Sequence, residues 1–177
     1  AVIGFAVHDV IDRILGSVLI VAVSLVVGGI ILIWTDRPSF TASRKPRTID
    51  TMDLKSCLAL GLIQCFAFVP GVSRSASTIL GGLWLGLSRK EAAEFSFFLA
   101  VPTIMGASVL KGAKILPSMT AHDWQFLGLG FILSFIFAFA AIRIFMPLIQ
   151  RYGFSHFGWY RILLGGVLLV MIYGGYL

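Results

Sequence analysis

Two stretches of this chain, Ile14 to Trp34 and Trp124 to Ile142, carry no charged residue. Each is close to the ~20 residues that a helix rising ~1.5 Å per residue needs to cross ~30 Å of hydrocarbon. Two further stretches, around Phe95 to Leu110 and Phe157 to Leu177, are apolar almost throughout. Lipid offers no partner to a backbone N–H or C=O, so runs of this length can satisfy themselves only as helices. The fold class expected is therefore all-α, a polytopic transmembrane helix bundle forming a single membrane domain over residues 1–177. A soluble alternative fails on composition. Apolar residues make up 58% and charged residues 12%, against ~25% charged in soluble domains, and the mean hydropathy is +0.96.

The formal net charge of +6 does not indicate nucleic acid. The basic residues sit in short loops between apolar runs instead of forming a stripe or tail, which is how membrane proteins mark their cytoplasmic face. Cys57 and Cys65 lie eight apart in an apolar run. That spacing suits neither a metal nor a useful disulfide, and both read as packing residues. The chain opens on Ala1, and Ala1 to Val7 reads as the end of an apolar segment without its start, so an N-terminally incomplete sequence is expected.

The most informative stretch is Ser56 to Ser88. Apolar runs Cys57 to Val69 and Ala76 to Leu87 flank a polar hinge, PGVSRS, Pro70 to Ser75. Each run reaches only ~20 Å as helix, too short to span alone. The stretch is either one broken spanning helix or a re-entrant hairpin. Charge separates the two. A hairpin gathers Arg37, Arg44, Lys45, Arg47, Lys55, Arg89, Lys90, Arg143 and Arg151 on one face, against Arg13, Lys111 and Lys114 on the other, nine to three. A single crossing gives seven to five. The hairpin has the stronger bias and is preferred, with the Asp36 to Asp53 loop cytoplasmic, spans at about 91–111, 123–146 and 157–177, and the C-terminus outside.

A charged hinge at membrane depth points to a site, because irregular backbone there is tolerated only where protein buries it or water reaches it. Pro70 and Gly71 make the turn, and the helix that follows offers unpaired N–H groups and its positive dipole end. Arg74 adds a planar fork suited to phosphate oxygens. Ser73 and Ser75 can cap the helix or donate to the same oxygens, with Ser77 and Thr78 one turn on. The alternative is that Arg74 pairs with a buried carboxylate or with carbonyls of the broken helix and that the serines are plain caps. Glu91 and Glu94 follow the hairpin on one helix face. They read as first-turn acids, with Glu94 a possible partner for Arg74. His8 beside Asp9, His122 and His156 are poorly placed for general base work. Gly82 and Gly86 read as a small-residue pair for close helix packing.

PGVSRSAST, Pro70 to Thr78, resembles the second signature of the BacA/UppP family of bacterial undecaprenyl-diphosphate phosphatases. The similarity continues through SRKEAAEFSFFLAVPTIMGAS, Ser88 to Ser108, and more weakly through WYRI, Trp159 to Ile162. The resemblance implies a multi-pass protein of the bacterial cytoplasmic membrane that hydrolyses the terminal phosphate of a polyprenyl diphosphate lipid. Arg74 would grip the diphosphate and stabilise the transferring phosphoryl group, with Gly71, Ser73, Ser75 and Thr78 binding substrate around it. It also implies a divalent cation, Mg or Ca, whose ligands are not in this chain.

The family fold implied is two inverted repeats, each a re-entrant hairpin plus three spans. This chain would hold the last span of the first repeat, residues 14–34, and the second repeat, residues 56–177, with its hairpin at 56–88. The family's first signature, a Glu-x-x-x-Glu pair followed by Ser-Ser-x-Gly-His, occurs nowhere in these residues. Two other functions fit the same features: a polyprenyl-phosphate transporter built on the broken-helix plan, or an inactive fragment needing a missing N-terminal half.

Overall fold

The computed structural model describes residues 8–37 and 47–176. Ala1 to Val7, the side chains of His8 and Asp9, and the loop cations Arg44 and Lys45 lie outside what is described. The described residues form seven α-helices: α1 (His8–Leu15), α2 (Val18–Thr35), α3 (Leu54–Gln64), α4 (Arg74–Trp84), α5 (Arg89–Ile115), α6 (Ala121–Tyr152) and α7 (Ser155–Tyr173). Four of them, α2, α5, α6 and α7, are long and apolar enough to cross a membrane.

The first uncharged window does not become one helix from Ile14. Ser17 takes an extended backbone and its hydroxyl accepts the Ile20 N–H at 3.4 Å, so α2 begins at Val18. A serine hydroxyl at this place satisfies an N–H that the helix itself cannot. From there α2 runs antiparallel against α7, and glycines set the separation. A Cβ on Gly158 would lie 2.8 Å from the Gly29 carbonyl oxygen and 2.6 Å from Ile33 Cγ1. Apolar helices gain nothing by leaving lipid for one another, so their association rests on close backbone approach of this kind. Gly158→Leu is therefore expected to part α2 from α7, read as faster hydrogen exchange in the middle of both helices. Unchanged exchange there would show that this crossing does not depend on the glycine.

The short helices α3 and α4 pack against each other. The ends of this unit are tied: Arg47 N donates to the Gly86 carbonyl at 2.9 Å, and the Arg47 guanidinium reaches the Ser56 hydroxyl at 3.4 Å. Asp53 caps α3 by accepting the Ser56 N–H at 3.2 Å. Hydrogen bonds from the Ser56 side chain, then its backbone, hold the Asp53 carboxyl below the usual range. Because the folded-state value is depressed, this cap contributes above the ordinary carboxylate range and is lost as pH falls through the lowered value. Helix α4 is the most enclosed element, with every residue from Ser77 to Leu83 buried. Gly82 admits Ala92 of α5, as expected of a small packing residue, whereas Gly86 takes φ 95° and ends the helix.

At one end of the bundle Asp36 joins three helices. Its Oδ1 lies 2.8 Å from Arg89 Nε at the start of α5, and its carbonyl accepts from Arg89 Nη2 at 2.9 Å. Its Oδ2 accepts the Phe154 and Ser155 N–H groups at 3.0 Å each and the Ser155 hydroxyl at 2.7 Å, capping α7. The end of α2, the two ends of the α3–α4 unit, the start of α5 and the α6–α7 junction thus lie together. Away from this end α6 is bare, exposed on all sides from Ala121 to Ile144. Its apolar side chains there, Phe131, Phe135 and Phe137 among them, suit contact with lipid or with other helices.

Candidate functional site

The link between α3 and α4 is built to reverse the chain in a small space. After a 3₁₀ turn at Cys65–Phe68, Gly71 adopts φ 88° and Ser73 φ 72°. The left-handed region is open to glycine but costs an L-residue ~1 kcal/mol or more. Ser73 is the one non-glycine residue in this region among those described. Gly71 also has no room for a side chain, since a Cβ would lie 2.6 Å from the Val21 carbonyl oxygen of α2. The turn thus sits level with Val21 and Ser24, about 17–21 Å along α2 from Thr35 at ~1.5 Å per residue, short of that helix's N-terminus.

The conformation of Ser73 makes it the cap of α4. Its hydroxyl accepts the Ala76 N–H at 3.4 Å and lies 3.3 Å from the Ser75 hydroxyl. The N–H groups of Arg74 and Ser75 have no acceptor within the helix, as in any first turn. Ser73 and Ser75 are exposed and line a cavity of about 230 Å³ together with Ala76, Tyr160 and Arg161. Two hydroxyls and a guanidinium on one cavity at the positive end of a helix dipole form an anion-binding arrangement, against walls of Leu32, Ile79 and three phenylalanines.

The other predicted residues divide. Arg74 is half-buried and turns toward α5, where Nη1 donates to the Ser96 carbonyl at 3.0 Å. That uses one of its five donors, and among the described residues no carboxylate pairs with it. Its contact is the carbonyl alternative expected for a broken helix, though to a neighbouring helix. Ser77 and Thr78 are buried. The Ser77 hydroxyl donates to the Ser73 carbonyl at 3.1 Å, and the Thr78 hydroxyl lies 3.1 Å from the Arg74 and Ser75 carbonyls. Thr78 Oγ1 also lies 2.7 Å from Ser96 Oγ, so Ser96 meets both Arg74 and Thr78 and fixes the first turn of α4 against α5. Glu94 is apart from this group, 3.7 Å from Lys90, and Glu91 closes a capping box with Ser88.

Replacing Thr78 with valine would leave the Ser96 hydroxyl short of a partner. A loss of about 1–2 kcal/mol is expected, seen as a lower unfolding temperature in detergent that Thr78→Ser restores.

Three residues at this site and its support escape a sequence reading as site residues: Ser96, Arg161 and Asp36. Arg161 alone leaves a signal, as a charge inside a membrane-length apolar run.

The family profile described as bacitracin resistance protein BacA matches residues 1–167. The chain belongs to the BacA family. Among curated BacA relatives, the undecaprenyl-diphosphatase of Bdellovibrio bacteriovorus is 47% identical over 99% of this chain and 67% of its own length. That of Pseudomonas syringae pv. tomato is 44% identical over 95% of this chain and 60% of its own. The Porphyromonas gingivalis protein of the same name is 45% identical over 98% and 62%. The chain thus spans about 60 to 67% of the length of the curated relatives it matches.

A divalent cation does not fit the groups described in this BacA chain. Among the described residues no three His, Cys, Asp or Glu side chains lie together, and the turn offers hydroxyls and two guanidinium groups. Hard divalent cations take carboxylate and carbonyl oxygens, so no chemical step is assigned to one here.

Proposed function

We propose that this chain supplies the phosphate-binding part of a bacterial membrane phosphatase that converts undecaprenyl diphosphate to the monophosphate and inorganic phosphate. The observation that carries the reading is the first turn of α4. Its capping serine and second serine hydroxyl open on one cavity, with Arg74 in the same turn, held toward α5 by the Ser96 carbonyl. A terminal phosphate has three oxygens to accept such donors. Phosphoryl transfer gains most from fixed donors aimed where negative charge spreads in the transition state. None of these groups is a base at neutral pH, so activating the attacking nucleophile falls to groups outside this cluster.

The reading extends to topology. With α3 and α4 as a re-entrant hairpin, the described cations Arg37, Arg47, Lys55, Arg89, Lys90, Arg143 and Arg151 would fall on the side of the Asp36 end, against Arg13, Lys111 and Lys114 on the other. That bias supports a cytoplasmic position for the Asp36 end. The names of the relatives support the substrate.

The test is phosphate release in bilayers by a chimera in which these residues follow the N-terminal third of the Bdellovibrio protein. Release from the lipid diphosphate but not from the lipid monophosphate is expected. Movement of the lipid across the bilayer with no release of phosphate would favour a transporter instead.

A further inference from the structure

Arg161 lines the same cavity as Ser73 and Ser75, yet the phosphatase reading gives it no task. It lies in α7, is 8% exposed, and has no carboxylate partner among the described residues. Its Nη2 faces three carbonyl oxygens: Gly71 at 2.7 Å, Val72 at 3.2 Å and Ser24 at 3.4 Å. Two of the three belong to the reversal between α3 and α4. Its Nε is buried without a partner.

Room for the guanidinium is built into α2. A Cβ on Gly28 would fall 2.5 Å from Nη2 and 3.2 Å from Cζ. An arginine at membrane depth is costly, and so are bare carbonyls in an apolar interior. Each offsets the other here, but a carboxylate partner would neutralise the charge more fully. What the carbonyl pairing adds is a fixed geometry for the turn. The residue after Val72 is Ser73, held at φ 72°, a conformation that persists only where its surroundings impose it.

We infer that Arg161 is a positioning residue: by holding the Gly71 and Val72 carbonyls it keeps Ser73 left-handed, and so aims the Ser73 hydroxyl and the α4 N–H groups into the cavity. It acts through the turn. Only the kinetic part of its test rests on the phosphatase reading.

Hydrogen exchange on the chimera tests the geometry without reference to activity. In Arg161→Lys, whose shorter side chain keeps the charge but ends short of where Nη2 sits, and in Gly28→Val, which crowds the guanidinium out, exchange of the Val72, Ala76 and Ser77 amides is expected to quicken about tenfold or more. Amides in the middle of α5 are expected to keep their rates. Unchanged exchange at the turn, or an equal rise throughout the protein, would overturn the inference.

The kinetic arm pairs Arg161→Lys with Ser73→Ala. If Arg161 works through Ser73, the double variant loses no more kcat than the worse single variant, and the effects multiply if the two are independent. Multiplying effects would overturn the positioning role. A parent chimera that releases no phosphate would sink the phosphatase reading instead, and the exchange rates would still decide the inference.

Discussion

Arg74→Ala in the chimera is expected to lower kcat/KM for undecaprenyl diphosphate about a thousandfold, with normal expression and an unfolding temperature lowered only slightly, by the loss of about one hydrogen bond. Removing one donor aimed at a developing oxyanion costs ~10²–10³ in rate, and a guanidinium supplies both charge and a second donor. Arg74→Lys is expected to recover only part of this, because an ammonium cannot reproduce the planar fork. The bond to the Ser96 carbonyl at 3.0 Å also gives Arg74 a role in packing, so stability must be read beside rate. A variant that loses stability in proportion to activity would assign Arg74 to packing alone. Ser75→Ala, which removes one neutral hydroxyl, is expected to cost about tenfold.

Asp36→Ala is expected to be the most damaging single change to the fold, lowering stability by about 3 kcal/mol. The carboxylate is buried and holds an ion pair, two N–H groups and a hydroxyl. Its loss leaves Arg89 without its counter-ion and uncaps α7. The Arg89 side chain is 33% exposed, so water relieves part of that penalty, which keeps the figure at the low end for a broken buried pair. Chemical denaturation in detergent measures it, with Asp36→Asn expected to lie between the two. An Asp36→Ala protein as stable as the parent would mean that the contact between α2, α5 and α7 rests on apolar packing alone.

The parts of this fold that were legible in sequence are those fixed by local physics. Apolar runs of membrane length can be little else than helices, and α2, α5, α6 and α7 follow from that. The break at PGVSRS was legible because proline, glycine and a charge interrupt two apolar runs too short to span. Ser17 was misread as interior to a span, since a serine inside an apolar run looks the same whether it caps a helix or faces a neighbour.

The site was half legible. Gly71, Ser73, Arg74 and Ser75 announced themselves by residue type around a turn. That the Ser77 and Thr78 hydroxyls are spent on backbone and on Ser96 depends on how α4 meets α5, which no local pattern encodes. Asp36 was hidden for the same reason: its partners Phe154 and Ser155 lie 118 and 119 residues away, and in sequence it is merely the first acid after a span. Glu94 had the right chemistry to partner Arg74, but helix register sets it beside Lys90, one turn on.

The central claim is that the first turn of α4 holds the phosphate. The most direct test is an experimental structure of the chimera bound to a methylene-bridged polyprenyl diphosphonate, which cannot be hydrolysed. The account predicts phosphonate oxygens within ~3 Å of the Ser73 and Ser75 hydroxyls and the Arg74 guanidinium. A diphosphonate bound elsewhere, with these groups still paired as they are here, would contradict it.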